Sequence, residues 1–195
     1  MFKLLVGIGN PGKKFNNTRH NVGWEVLDSF NSIHKSELIS KKDDYELYQT
    51  FYESKELYSL KPMTYVNNSG IPLKKIIKKL NIKTNEILII VDDINLMLGV
   101  IRLKERGGPG GHNGLKSVFS EILSNDIPRL RLGIGTSERY GEDLVSFVLG
   151  KFETNETKIV KDMIDRSVEA IDNILSVGFA KAMELTNYKK QDKVN

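Results

Sequence analysis

The chain has 195 residues, 39% of them hydrophobic and 28% charged, the proportions of a globular domain with a sizeable core. It has no cysteine, which rules out a disulfide framework, a thiol nucleophile and any thiolate metal site, and His20, His34 and His112 form no H-E-x-x-H pair, so no metal is expected. The formal charge of +4 and a pI near 9.1 fit a polyanionic partner such as nucleic acid, and no apolar run is long enough to span a membrane.

Phe2 to Ile8 is an apolar run ending in Gly-x-Gly. It is too short for a signal peptide and suits a buried first strand, which implies a cytoplasmic protein. Asn10 to Arg19 reads as a loop, and the following segment as a helix with Val22, Val26, Leu27, Phe30 and Ile33 on one face. Tyr45 to Phe51 and Leu57 to Lys61 read as strands, antiparallel because only a short polar turn separates them. Asn67-Asn68-Ser69 offers N-caps and Pro72 a first turn, ahead of a helical stripe of Leu73, Ile76, Ile77 and Leu80. Ile87 to Val91 is a strand ending at Asp92-Asp93, and Gly99 to Lys104 is another. The glycine loop Arg106 to Asn113 then leads into a helix carrying Leu115, Val118, Phe119 and Ile122. Arg129 to Ile134 is a strand with Arg129 and Arg131 on alternate positions, and helices close the chain through Val160, Met163, Ile164, Val168, Ile171 and Leu175. Strands alternating with helices predict a single-domain three-layer α/β/α sandwich with a mixed twisted sheet. The single α/β domain is expected over 1–188, with a polar, frayed tail at 189–195.

Two motifs invite a nucleotide reading and fail it. Gly7-Ile-Gly9-Asn-Pro-Gly12 satisfies G-x-G-x-x-G, but the helix that should open at the last glycine is displaced to about Asn21, and no acidic residue ends a second parallel strand. Gly110-Gly-His-Asn-Gly114-Leu-Lys116-Ser117 lacks the Gly-Lys-Ser adjacency of a P-loop. Its glycines can still aim backbone N–H groups at an anion in front of a helix N-terminus, or simply form a tight turn.

Asn10, His20, Asn67, Asp92, His112 and Asn113 all fall at strand ends or ahead of helices, where an open α/β sheet places its ligand rim. His20 has the ordinary pKa of a neutral-pH base, with a helix cap or surface histidine as the alternative. Asp92 at a buried strand end needs a partner. If that partner is His20, the carboxylate fixes the imidazole tautomer. Alternation points Asp93 the other way. Asn67 and Asn113 can polarise a carbonyl or act as N-caps. With no cysteine and no G-x-S-x-G elbow, water activated by a general base is the simplest hydrolytic route.

Four segments, in order, are similar to the bacterial peptidyl-tRNA hydrolase family: Gly7-Ile-Gly-Asn10-Pro-Gly with Thr18-Arg-His20-Asn-Val-Gly23; Thr64-Tyr65-Val-Asn67-Asn-Ser-Gly70; Asp92-Asp-Ile-Asn95; and Gly107-Gly-Pro-Gly-Gly-His112-Asn113-Gly-Leu-Lys116. Arg129-Leu-Arg131-Leu-Gly-Ile-Gly135 and Val148-Leu-Gly-Lys-Phe152 add to the resemblance. It implies an esterase that frees tRNA from peptide as a cytoplasmic monomer without a metal or organic cofactor. His20 takes the place of the catalytic base, Asp92 of the carboxylate that holds it, and Asn10 of the residue that helps separate peptidyl-tRNA from free aminoacyl-tRNA. Phe15, Tyr65, Asn67 and Asn113 match positions lining the site for the tRNA 3′ end and peptide. Arg102, Lys104 and Arg131 match basic positions for tRNA phosphates. The chain departs from the family pattern at Phe15, commonly tyrosine, at Val66, usually methionine, at Val91, often histidine, and at Met97-Leu98, in place of prolines, while Arg106 adds a cation. No catalytic group is lost, and a noncatalytic RNA-binding protein on the same fold is the alternative.

Overall fold

A computed structural model describes residues 1–136 and 143–188. The tail expected at 189–195 lies outside the described residues.

The strands are β1 (Leu4–Gly7), β2 (Glu37–Lys41), β3 (Tyr45–Tyr52), β4 (Lys55–Pro62), β5 (Ile87–Met97), β6 (Ile101–Lys104) and β7 (Arg129–Gly135). They form one seven-stranded sheet in the order β2-β3-β4-β1-β5-β7-β6. β1 runs parallel to β4 and β5, and β5 parallel to β7, while β2/β3, β3/β4 and β6/β7 are antiparallel. The sheet is therefore mixed, as its sequence implies. The helices are α1 (Val22–Ile33), α2 (Gly70–Leu80), α3 (Asn113–Ile122), α4 (Leu144–Leu149), α5 (Thr157–Val177) and α6 (Phe179–Tyr188).

Strand alternation divides the interior in two. Leu5, Leu88, Ile90, Leu130 and Leu132 pack with Val26, Phe30, Met163 and Ile171 of α1 and α5, and Ala182 of α6. Leu4, Val6, Ile87, Ile89 and Val91 point to the other side and pack with Leu73, Ile76, Leu115 and Val118 of α2 and α3. Neither face could be left bare, because each strand at the centre is apolar on both sides.

Several expected boundaries shift. β2 has no apolar alternation and is largely exposed, so nothing in its sequence marks it as a strand; pairing with β3 makes it one. β5 runs past Asp92 to Met97. β6 starts at Ile101, because Gly99 sits at φ +82 in the turn before it. Ile33, placed on the buried stripe of α1, is 60% exposed at the helix end. Asn67 and Asn68 form a 3-10 turn, and α2 begins only at Gly70 with no side-chain cap. After Gly12 comes a 3-10 turn, Lys13–Phe15, and the first α-helix waits until Val22, so the phosphate geometry of a dinucleotide fold is missing at this loop.

α1 rests directly on the sheet backbone. A Cβ on Gly23 would stand 2.6 Å from the Ile90 carbonyl oxygen and 2.8 Å from that of Ile8. One on Gly7 would stand 2.7 Å from the Gly23 oxygen. The two glycines thus set the helix low over β1 and β5 and bring the turn before α1 to the end of β5.

Candidate active site

The turn Arg19–Asn21 precedes α1, and it carries His20 to the carboxyl end of β5. There His20 Nδ1 lies 2.9 Å from Asp92 Oδ1 and 3.0 Å from Oδ2. Asp92 ends the run of residues buried on both sides of β5, and its side chain is only 3% exposed. Alternation turns Asp93 to the opposite face, where its Oδ2 accepts from Arg131 Nε at 2.6 Å. The choice of Asp92 over Asp93 as the histidine's partner is thus written in the pleat.

His112 completes the cluster. Its Nε2 is 2.9 Å from Asp92 Oδ1, and its Nδ1 accepts from the Leu115 backbone N–H at 3.2 Å, capping α3. Sequence reasoning offered Asn113 as the cap and placed His112 on the ligand rim with no partner named; the cap is His112, and Asn113 is the first helical residue. The α3 N-terminus packs tightly here: a Cβ on Gly114 would stand 2.9 Å from His112 Cε1, Ile8 Cγ2 and Val66 Cγ1.

The electrostatics follow from the geometry. Burial alone would push the Asp92 carboxyl up, but the charges and hydrogen bonds of His20 and His112 outweigh it and hold the group well below the usual carboxylate range. Burial alone would lower His20, yet the charge of Asp92 and its hydrogen bond prevail, and His20 sits above its ordinary value of 6.5. His20, Asp92 and His112 bring three potential metal-ligand atoms within 4.8 Å of one another. In this arrangement one nitrogen of each imidazole is engaged by the carboxylate, the disposition a proton-transfer group needs.

These residues open onto a cleft of about 370 Å³. Asn113, Asn95, the glycine loop and Leu144, Val145 and Val148 of α4 line it. Asn113 is exposed, and its Oδ1 accepts from Lys116 Nζ at 3.2 Å.

The other expected site residues form two further groups. Asn10 is 6% exposed, and its Oδ1 accepts from Val66 N at 2.9 Å. Its backbone N–H and C=O are both met by the Asn21 side chain, at 2.8 and 3.0 Å. Asn10 therefore ties the end of β1 to the turn that bears Tyr65 and Asn67. Phe15 and Tyr65 meet edge to face at 6.2 Å, with Tyr65 57% exposed; Asn67 is exposed beside them in sequence. Arg102, Lys104 and Arg131 lie together on β6 and β7, Arg102 directly opposite Arg131. Asp93, which holds Arg131, also lines the cleft, so the basic edge adjoins the histidines.

Two arginines escaped sequence reasoning. Arg19 is 7% exposed. Its guanidinium donates to the Lys151 carbonyl at 2.5 Å and to Glu156 Oε2 at 2.8 Å, between the rings of Phe147 and Phe152. Its backbone N–H reaches the Gly150 oxygen at 2.9 Å. Arg129 is 1% exposed, lies against Phe119 and donates to the carbonyl of Gly107 at the start of the glycine loop. In sequence Arg19 is one residue of a polar loop and Arg129 one of two alternating strand cations, and only their partners far along the chain show what they hold.

A profile of the peptidyl-tRNA hydrolase family matches residues 4–194. The chain is 37% identical over 191 residues to a peptidyl-tRNA hydrolase of Persephonella marina, covering 97% of this chain and 99% of the relative. It is 38% identical over 189 residues to one of a Hydrogenobaculum species, covering 97% and 99%. The crystal structure of peptidyl-tRNA hydrolase from Acinetobacter baumannii superposes with a TM-score of 0.88 at 33% identity, covering 95% of this chain and 94% of that one. The chain belongs to the peptidyl-tRNA hydrolase family.

Proposed function

We propose that this protein hydrolyses the ester joining a peptide to tRNA, with His20 as general base. The observation that carries the reading is the His20–Asp92 pair at the cleft. Because Asp92 takes Nδ1, that nitrogen holds the proton and Nε2 is left to accept one. A water in the cleft gives its proton to Nε2 while its oxygen attacks the ester carbonyl carbon. The tetrahedral intermediate then collapses, the bond to the ribose oxygen breaks, and the imidazolium returns its proton to that oxygen. A free carboxylic acid and an intact tRNA 3′ end result.

Asn10, Asn67 and Asn113 supply amides for the peptide and the developing oxyanion. With Asn10 Oδ1 committed to Val66 N, its Nδ2 is the group left to meet a peptide carbonyl. A free aminoacyl-tRNA lacks that carbonyl and would leave the amide unpaired, which disfavours it. Phe15 and Tyr65 offer rings to the terminal nucleotide, and Arg102, Lys104 and Arg131 offer charge to the phosphates. The same reading has the protein acting as a cytoplasmic monomer without a cofactor; among the described residues no helix is long and apolar enough to cross a membrane. The relatives carry the enzyme's name, which favours a hydrolase over a noncatalytic RNA-binding protein.

The test is to incubate the protein with N-acetyl-aminoacyl-tRNA and with free aminoacyl-tRNA. Release of tRNA from the first alone, unaffected by chelators and lost in His20→Ala, is the expected result. Binding of both without turnover would favour the noncatalytic reading.

A further inference from the structure

Among the described residues β6 is the outermost strand on its side of the sheet and pairs only with β7. Such an edge presents unpaired backbone N–H and C=O groups. At Leu103 one side chain satisfies both. Leu103 N donates to Asn187 Oδ1 at 3.0 Å, and Asn187 Nδ2 donates to the Leu103 oxygen at 3.0 Å. Asn187, near the end of α6, thus imitates the backbone of a further strand. A second side chain acts just ahead of β6: Arg166 of α5 donates Nη2 to the Gly99 oxygen at 2.6 Å. Beside these two anchors lies a groove of about 560 Å³ whose walls include Gly99, Ile101, Leu185 and Thr186. The groove opens at Ile101, and polar clamps fix the backbone on either side of that gap, at Gly99 and Leu103.

The strand so held is the one that presents Arg102 and Lys104. Ile101 and Leu103 point into the core with α5 and α6, so Arg102 and Lys104 leave the opposite face, and both are exposed. Their Cα atoms are about 6.8 Å apart along the strand, and the position of the pair relative to the cleft depends on where β6 lies.

We infer that Asn187 is a positioning residue for tRNA binding: by holding both backbone groups of Leu103 it fixes the strand from which Arg102 and Lys104 meet phosphates. The inference rests on the proposed assignment of those two cations to the tRNA backbone. Aspartate at this position would keep the acceptor for Leu103 N but set a carboxylate against the Leu103 carbonyl. Leucine would keep the volume and leave both backbone groups orphaned.

The experiment compares Asn187→Leu, Asn187→Asp and Lys104→Ala on two substrates. One is full-length N-acetyl-aminoacyl-tRNA; the other is the same ester on a CCA trinucleotide, which carries none of the phosphates upstream of the 3′ end. For both Asn187 variants KM for the full-length substrate should rise about three- to tenfold, with kcat, and both constants for the trinucleotide ester, unchanged. The slope of log KM against log salt should also flatten, since fewer counterions are released. If Lys104→Ala leaves KM for the full-length substrate unchanged, the phosphate assignment fails and the inference with it. If Lys104→Ala raises KM while the Asn187 variants change neither KM nor the salt slope, the inference alone is overturned. It is also overturned if Asn187 variants lose activity equally on both substrates through kcat, the mark of a general structural loss. Asn187→Asp, nearly isosteric, keeps the comparison available should Asn187→Leu fold poorly.

Discussion

His112 Nε2 and His20 Nδ1 face the same oxygen of Asp92, each at 2.9 Å. Because Leu115 N donates to His112 Nδ1, the His112 proton sits on Nε2. His20 carries its proton on Nδ1. One carboxylate thus fixes two imidazoles in opposite tautomers, and only His20 keeps its outer nitrogen for chemistry. In His112→Ala the Asp92 charge loses one of its two donors and falls more heavily on His20. The acid limb of kcat/KM is expected to move to higher pH, with kcat reduced less than about tenfold. A limb that stays in place would separate His112 from the base.

The same logic sets the pH profile of the wild type. As the proposed base, His20 must be neutral to accept a proton, and its pKa lies above 6.5. Activity should therefore be full well above that value and fall about tenfold per pH unit below the midpoint. Asp92→Asn removes the charge and leaves the burial, which lowers an imidazole. Its limb should shift below 6.5 while the plateau drops about 10²-fold or more, because asparagine no longer dictates the tautomer. Measurement of kcat/KM from pH 5 to 9 checks both directions.

Arg19→Met should destabilise the fold by about 3 kcal/mol, since it strips the cation from Glu156, whose side chain is 13% exposed and keeps only the Glu153 backbone N–H. It also releases the turn that carries His20, so kcat should fall in the folded fraction. Urea denaturation followed by kinetics at low denaturant separates the two effects.

Glu25 provides a stability test away from the cleft. Its Oε1 is buried with no partner among the described residues, and burial, helped by the Asp28 charge, pushes its pKa from 4.5 to about 7. Below 4.5 both folded and unfolded chains hold the proton and nothing is lost. Between the two values the unfolded chain ionises first, so stability falls as pH rises and the full penalty, about 2–3 kcal/mol, applies above neutrality. Glu25→Gln should raise Tm at pH 8 and leave it nearly unchanged near pH 4.

What was legible in the sequence was whatever local pattern encodes. The apolar centre of the sheet, the stripes of α2 and α3 and the rim at the strand ends all follow from periodicity and turn chemistry. The pleat separates Asp92 from Asp93, and the family resemblance points to Asp92 as the histidine's partner. The missing parts depend on contacts between distant segments. β2 is a strand only because β3 lies beside it. The cap of α3 is a histidine whose other nitrogen is spent on Asp92, which no capping preference anticipates. Arg19, Asn21, Arg129 and Asn187 act through backbone groups or residues at other points of the fold, and polarity in the sequence says nothing of where a side chain will find them.

The hold that residues 150–156 keep on Arg19 has a consequence for synthesis. Its side-chain contacts span 132 and 137 positions of the chain, so the turn bearing His20 is among the first segments to leave the ribosome and among the last to be secured. A nascent chain that has already exposed His20, Asp92 and His112 still lacks the clasp until Glu156 emerges. With His20 as the proposed base, competence for hydrolysis would mature late, and an incomplete copy of this enzyme would be poorly equipped to attack the peptidyl-tRNA to which it is itself attached.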